Sequence, residues 1–572
     1  MANGMGTLYI ASSGLRNHQN ALNTTANNLA NVDTEGYVRQ QVLFSDKEYN
    51  KFADAAVSAQ QAGLGLNIGD VVHARDVFID KAYRSETGRQ AFYEACFVAV
   101  DEVQTYYQEM EGKTFQSAME DFWKSFQEFS KDPSDSVNQN LVVQKASIFL
   151  TRSQEVYDGL KTYQQNINTK INNDIDQINK LGNKIRELNN QIQKIEVGNM
   201  ETAMNLRDER DLALDQLGAL AKISYKEDET GVVKVKLEDV YFVDELHTYE
   251  IGKQVDKITG FVTPYWPQLS DLDKELYEPV YDFTVDISSE LNTDIGELKA
   301  LILCRGDHWA DYSDITELTE SQYLDSTNMS VMLDMQAKLD QMMHSIITAI
   351  NDQFCPNIQG PAGVTYTDED GNTVDMSSVH VLDTENCATG SDGKIPPQEL
   401  FVRAGTERYT EVTGSDGKTY YVYNEEDTSD TAMMYSLNSC GINENLKKIE
   451  TLIPHLRQNG EVDRPLGERL VEIWEKDMVG LDPTDPEPVT FKLYYQKMID
   501  GLGTIGNVYN KTAENVANSV ATIENNRQQV IGVSSDEELQ NMIKYQNAYN
   551  ASSRFMTVIS EMIEHIITHL GS

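Results

Sequence analysis

The chain carries an amphipathic helical pattern at each end, and neither pattern is rich enough to fold without a partner. Leu8, Leu15, Leu22 and Leu29 recur every seven residues, with Ala11, Thr25 and Val32 at intermediate positions, so the spacing predicts a helix with one narrow apolar seam. The rest of that segment is largely Asn, Ser, Thr and Gln. Such a helix buries little surface, and short isolated helices draw most of their stability from packing. At the other end Tyr545, Ala548, Tyr549, Ser552, Phe555, Met556, Ile559, Met562, Ile563, Ile566 and Leu570 form a broad stripe. Ser535, with Glu538 three residues later, reads as its capping box, and Asp536 and Glu537 place negative charge at the positive end of the helix dipole. If helical to Leu570, this segment spans roughly 50 Å at about 1.5 Å per residue. Both ends are expected to pair within assembled copies and to be mobile in a free one.

Between the ends, helical and strand-like patterns alternate. Phe92, Cys96, Ala99, Val103, Tyr106 and Met110 keep a helical spacing, and Phe115 to Phe129 extends the pattern towards a stop at Pro133. The strongest heptad places Ile171, Ile178, Ile185 and Ile192 at one seam position and Ile167, Leu181, Leu188 and Ile195 at the other, with Asp174 interrupting the second row. It predicts a coiled-coil rod from Tyr157 to Glu196, roughly 60 Å long. After Ile223, residues 231–237 alternate as a strand does, helix returns from Met332 to Phe354, and Asp370-Gly371, Asp392-Gly393 and Asp416-Gly417 predict hairpin turns. From Phe491 the pattern is helical again. The expected class is α+β and multidomain: an elongated α-helical coiled-coil stem formed by both termini, carrying inserted β-rich outer domains. The expected division is a terminal layer from 1–60 and 532–572, a helical stem from 61–224, 311–355 and 489–531, and β-rich insertions at 225–310 and 356–488.

Chemistry-bearing patterns are sparse. His565 and His569 are one helical turn apart, but no third ligand accompanies them, and Asp368 to Asn372 lacks the twelve-residue spacing of a calcium loop. There is no GxGxxG after a strand, no Walker loop and no GxSxG elbow, so neither enzymatic activity nor a cofactor is expected. Cys96, Cys304, Cys355, Cys387 and Cys440 form no CxxC pair, and Cys96 lies on an apolar stripe. A formal charge of −44, from 91 acidic against 47 basic residues, disfavours nucleic acid and anionic membrane as partners. The opening residues lack the pattern of a secretory signal peptide, and no apolar run is long enough to span a bilayer, so a soluble chain exported by another route is expected. The densest charged run, Leu206-Arg207-Asp208-Glu209-Arg210-Asp211-Leu212, reads equally as a solvated helical face and as a lock against a neighbour.

Two segments together point to a family. Residues 26–40, Ala-Asn-Asn-Leu-Ala-Asn-Val-Asp-Thr-Glu-Gly-Tyr-Val-Arg-Gln, resemble the amino-terminal signature of the axial subunits of the bacterial flagellum, and residues 532–538 with 545–552 resemble their carboxyl-terminal signature. Tyr37-Val38-Arg39-Gln40, Leu188 to Ile192, Asp208 to Asp211 and the helix ending at Asn351 are similar to the hook-associated members, which form the first hook–filament junction. Gln139 and Lys299 depart from residues frequent there. The resemblance implies a structural subunit that forms a ring with itself, with hook protein below and the second junction protein and flagellin above. It implies export through the flagellar type III channel to an extracellular position, helped by a dedicated chaperone at the C-terminal helix. The self-assembly residues it implies are Leu8, Leu15, Leu22, Leu29, Asn27, Asn28, Asn31, Gly36, Tyr37, Arg39, Gln546, Tyr549, Phe555, Ile559, Ile563 and Ile566. Another axial subunit such as hook protein, or a secreted enzyme or adhesin on an axial stem, are the alternative readings.

Overall fold

The computed structural model describes residues 2–46, 50–51, 61–62, 65–108, 115–197, 202–368 and 371–570. Helix α1 (Ala2–Ala30) is followed by an antiparallel ribbon of Gln40–Asp46 on Leu66–His73, whose register shifts between Leu43 and Phe44. The expected helical stem from residue 61 therefore begins with a strand that belongs beside α1. The stem contains α2 (Val77–Gln108), α3 (Phe115–Lys131), α4 (Ser136–Glu196) and α5 (Met204–Leu220). Met110 lies outside the described residues. After the first insertion come α6 (Glu297–Arg305), short α7 (Ser313–Thr316) and α8 (Glu320–Asp325), and α9 (Val331–Phe354). The second insertion holds α10 (Glu444–Lys448) and α11 (Arg464–Glu472), before α12 (Phe491–Ile531) and α13 (Ser535–Leu570) return to the start of the chain. The fold is α+β, a helical stem with inserted β-sheets.

Helix α4, 61 residues and so about 90 Å long, is the axis. Pro133 separates it from α3; Asp135 caps its first turn by accepting from the Val137 N–H at 3.0 Å, and buried Gln139 donates to the Pro133 carbonyl at 2.8 Å. Ile171, Ile178, Ile185 and Ile192 are fully buried and Ile195 at the end of the rod is exposed, but β-strands and α5, rather than one partner rod, share in covering the seam. Three asparagines explain why. Asn168 donates to the Gly260 carbonyl and accepts from the Val262 N–H, at 3.0 and 2.8 Å. Asn179 does the same with Ile251, and Asn189 with Val233, so each amide completes strand backbone groups that would otherwise be unpaired. Gly182 gives close access between them: a Cβ there would lie 2.5 Å from the Phe242 ring. Asn351 repeats the device at the end of α9, donating to the Phe401 carbonyl at 2.8 Å and accepting from the N–H groups of Leu400 and Phe401.

The first insertion is a three-stranded antiparallel sheet (Ile223–Glu227, Val233–Leu237, Val240–Val243) and a hairpin (Gly252–Val255 with Val262–Tyr265). Its expected span to residue 310 also contains α6, which packs on α2 and α4 as part of the stem. The second insertion has a four-stranded sheet of Asn357–Gln359, His380–Leu382, Thr419–Tyr423 and Tyr409–Thr413, in that order. Gly417 turns its last hairpin at φ +81°, and Gly371 lies in the turn between Thr365–Thr367 and Thr373–Asp375; Asp370 is outside the described residues. Asp392-Gly393 makes an isolated turn with no strand on either side, because the Thr389 backbone is taken by Leu456 instead. Helix α11 also returns to the stem inside the expected β-rich span. Gly467 lets it approach α3, where a Cβ would lie 2.7 Å from the Ser130 Cα. Phe122 binds these parts together, with Phe126, Phe149, Phe401 and Trp474 at ring distances of 4.9 to 6.2 Å.

Asp174 sits in the stem core, 7% exposed, with one carboxylate oxygen unpartnered. Burial, and then the charge of Glu297, push its pKa up to about 7. Its folded pKa lies above an unfolded value near 3.9, so its ionisation destabilises the fold progressively as pH rises from about 4 through 7. Asp174→Asn is therefore expected to stabilise the stem by about 1–3 kcal/mol at pH 8 and to change little at pH 4. Calorimetric melting at both pH values checks this; equal shifts at both would contradict it.

Candidate functional site

The two ends of the chain meet where α1 runs out. The Asn31 side chain donates to the Asn27 carbonyl at 2.9 Å, competing for the helix's own acceptor, and Gly36 at φ +78° turns the backbone. The return strand then passes back over α1. Asn28, 1% exposed, accepts from Tyr37 Oη at 2.8 Å and from the Gln40 N–H at 3.1 Å. It donates to the Gln40 carbonyl at 2.9 Å and to Glu538 Oε2 at 3.2 Å. Asn27 donates to Tyr37 Oη at 3.3 Å. Burial, with Asp208 and Glu538 nearby, pushes the Tyr37 phenol up to about 12, so it remains a donor.

Glu538 is the carboxyl-terminal half of this joint. Arg39 Nε donates to it at 2.8 Å while Arg39 Nη1 reaches Glu537 at 2.9 Å, and the Arg39 N–H bonds the Ile531 carbonyl at 2.9 Å. Glu538 therefore does not close the capping box expected with Ser535. The helix begins one residue earlier than that box requires, Ser534 Oγ accepts from the Glu537 N–H at 3.4 Å, and the Glu538 carboxylate is drawn to Asn28 and Arg39.

Along the helices the pairing is antiparallel: Asn28 lies by Glu538, His18 stacks on Tyr545 at 6.5 Å, and a Cβ on Gly14 would lie 2.8 Å from Ser552 Oγ. Phe44 of the ribbon completes an aromatic triad with His18 and Tyr545, at 5.8 and 5.9 Å. Ala11, Ala21, Thr25 and Asn28 are the most buried side chains of α1, whereas Leu8, Leu15, Leu22 and Leu29 are half-buried beside them. On α13, Ile559 is buried, Tyr549 and Ile563 are half-buried, and Gln546 is exposed. The expected stripe is split. Phe555, Val558, Met562, Ile566 and Ile567 are 44–68% exposed.

A second layer of charges fixes this pair to the stem. The Val38 N–H donates to Asp208 Oδ2 at 3.2 Å, and His73 Nδ1 lies 3.4 Å from Asp208 Oδ1. Burial pushes Asp208 up to about 7 and lowers His73 to about 4, so near pH 6 the contact is between a carboxylic acid and a neutral imidazole. Asp211 pairs with Arg75 and, at 3.3 Å, with Arg84; Asp215 pairs with Arg84 and with Arg527 at 2.6 Å each, and Arg527 also reaches Asp80 at 2.7 Å. Arg210, 1% exposed, donates to Asn189, Glu227 and the Gly231 carbonyl. The charged run of 206–212 is thus buried at Asp208 and Arg210, and it locks the chain's own terminal ribbon to its stem. Asp80, Arg84, Asp215 and Arg527 carried no local sequence signal, because their partners are far apart in the chain.

His565 and His569 stack at 4.2 Å, and among the described residues no three His, Cys, Asp or Glu side chains are placed to hold a metal ion. The five cysteines are free and buried. Asp368 accepts from the Asn372 N–H at 2.6 Å in an ordinary turn. No described helix is long and apolar enough to cross a membrane.

Residues 100–355 match the model of the flagellar hook-associated protein FlgK helical domain, residues 8–37 that of the flagella basal body rod protein, and residues 527–568 that of the flagellar basal body rod FlgEFG protein C-terminal region. Flagellar hook-associated protein 1 of Bacillus subtilis is 25% identical over 99% of this chain and 98% of its own length. The protein of the same name from Salmonella typhimurium is 20% identical over 97% and 98%. The solved structure of the flagellar hook junction protein FlgK from Burkholderia pseudomallei is 12% identical, with a TM-score of 0.48, covering 79% of this chain and all of that one. With relatives aligned from end to end, and with its stem and both terminal helices matched to flagellar families, the chain belongs to the flagellar hook-associated protein 1 family, structural subunits of the flagellum.

Proposed function

We propose that this chain forms the first ring at the junction of hook and filament, and that it acts by assembly rather than catalysis. The observation that carries this reading is the split stripe of α13. One side lies on α1, and the other leaves Phe555, Val558, Met562, Ile566 and Ile567 uncovered on a 36-residue helix. Apolar area of this kind favours association at roughly 25 cal/mol per Å² removed from water. The half-buried leucines of α1 add to the same surface, so neighbouring copies cover each other's terminal helices. The terminal layer, 1–60 with 532–572, is the assembling unit, and the residues from Asn27 to Arg39 hold it in register.

Hook protein lies below such a ring, and the second junction protein and flagellin above it. The subunit travels to that extracellular site through the type III channel as an unfolded chain, with an export chaperone covering the apolar face of α13 beforehand. The ionic joint around Asp211, Asp215 and Arg527 then orients the stem and its insertions outward from the terminal layer. A double variant, Val558→Asp with Met562→Asp, tests the proposal. It is expected to melt like the parent protein, because both side chains are exposed, and to be absent from purified hook–filament junctions. Normal incorporation would contradict the assignment of this face.

A further inference from the structure

Beside the ionic joint lies a cavity of about 520 Å³, walled by the terminal ribbon, the first turns of α2, the start of α5 and the strand Ile223–Glu227. In a chain with nearly twice as many acidic as basic residues, this cavity has the reverse balance. Arg75, Lys81, Arg84, Arg207, Arg210 and Lys226 line it, against Asp80, Asp211 and Glu227. Those three carboxylates are already engaged: Asp211 by Arg75 and Arg84, Glu227 by Arg207 and Arg210, and Asp80 by Arg527. Lys81 and Lys226 have no ion pair among the described residues; Lys81 rests over the Tyr225 ring at 5.7 Å.

The walls also hold unused donors. Arg75 Nε, Arg84 Nη1 and Arg210 Nε are buried without a hydrogen-bond partner, as are His73 Nε2 and the Tyr225 hydroxyl. Arg84 and Arg210 are 3% and 1% exposed. An unpaired buried N–H on a charged group is costly, and guanidinium groups match carboxylate and phosphate oxygens closely. The geometry points to an oxyanion site: a group bearing carboxylate or phosphate oxygens enters between Lys81 and Lys226, and the arginine wall behind them supplies the field that holds it. Because the lining comes from the ribbon, α2, α5 and the first insertion, a bound anion fastens the terminal layer to the stem. The inference rests on the fold alone and stands whether or not the ring assignment does.

Two sources carry this chemistry: a free small anion, and an acidic side chain of a neighbouring copy. The test uses the full chain with inorganic phosphate and with citrate, ionic strength being held constant with sodium chloride. A saturable rise in melting temperature is expected, together with heat of binding by calorimetry. In Lys81→Glu with Lys226→Glu, which alters two exposed side chains, the apparent affinity is expected to fall at least about tenfold while the anion-free melt is unchanged. If phosphate inhibits assembly of the parent protein, the natural occupant is a neighbour's carboxylate. If assembled rings retain phosphate, it is a free anion. A thermal shift that follows ionic strength alone, or one that persists undiminished in the double variant, would overturn the site.

Discussion

Replacing Arg527 with methionine is expected to lower the unfolding free energy of the stem by about 3–5 kcal/mol, the usual cost of removing one partner from a buried charge cluster. Arg527 is 7% exposed and lies over the Tyr83 ring at 4.6 Å. Its guanidinium joins Asp80 of α2 to Asp215 of α5, so its loss leaves two carboxylates facing each other in a site that water reaches poorly. Arg84 still reaches Asp215 at 2.6 Å, and Arg75 lies 3.5 Å from Asp80, which limits the damage without removing it. Arg527→Lys keeps the charge but cannot span both acids with a planar fork, and an intermediate loss is expected. The comparison that isolates burial is Lys131→Ala: its pair with Glu128 is exposed on both sides, at 68% and 48%, and its removal is expected to leave stability unchanged. Urea titrations of the three variants check the order. A methionine variant as stable as the parent would show that the cluster contributes nothing to holding α12 in place.

The helices were legible wherever their apolar period was self-contained. The stretches from Phe115, from Met332 and from Phe491 appear as α3, α9 and α12 with nearly the expected bounds, because a buried face at helical spacing is a local property. The axis was legible in kind but not in partner. Ile171, Ile178, Ile185 and Ile192 look like a coiled-coil seam, yet Asn168, Asn179 and Asn189 recruit strands to the same helix, and asparagine in a helix carries no pattern that says which distant backbone it will complete. The two terminal signatures were readable as motifs, and the fold brings them into one joint through Asn28, Arg39 and Glu538. The role of Glu538 was not readable. Three residues after a serine, it satisfies the capping rule as well as any glutamate, and only the tertiary approach of Arg39 decides otherwise. The same holds for Asp208 and Arg210, which local composition cannot distinguish from a solvated charged face.

The exposed apolar residues of α13, the joint between terminal layer and stem, and the end-to-end relationship to hook-associated protein 1 support the proposed position above the hook and below the filament. A subunit at that position is needed by everything added after it and by nothing added before it. Electron micrographs of cells lacking this gene therefore test the assignment most directly. Complete hooks without filaments, together with unpolymerised flagellin in the medium, are expected. Cells that lack hooks would place the subunit earlier in the axis, and cells with normal filaments would remove it from the axis altogether.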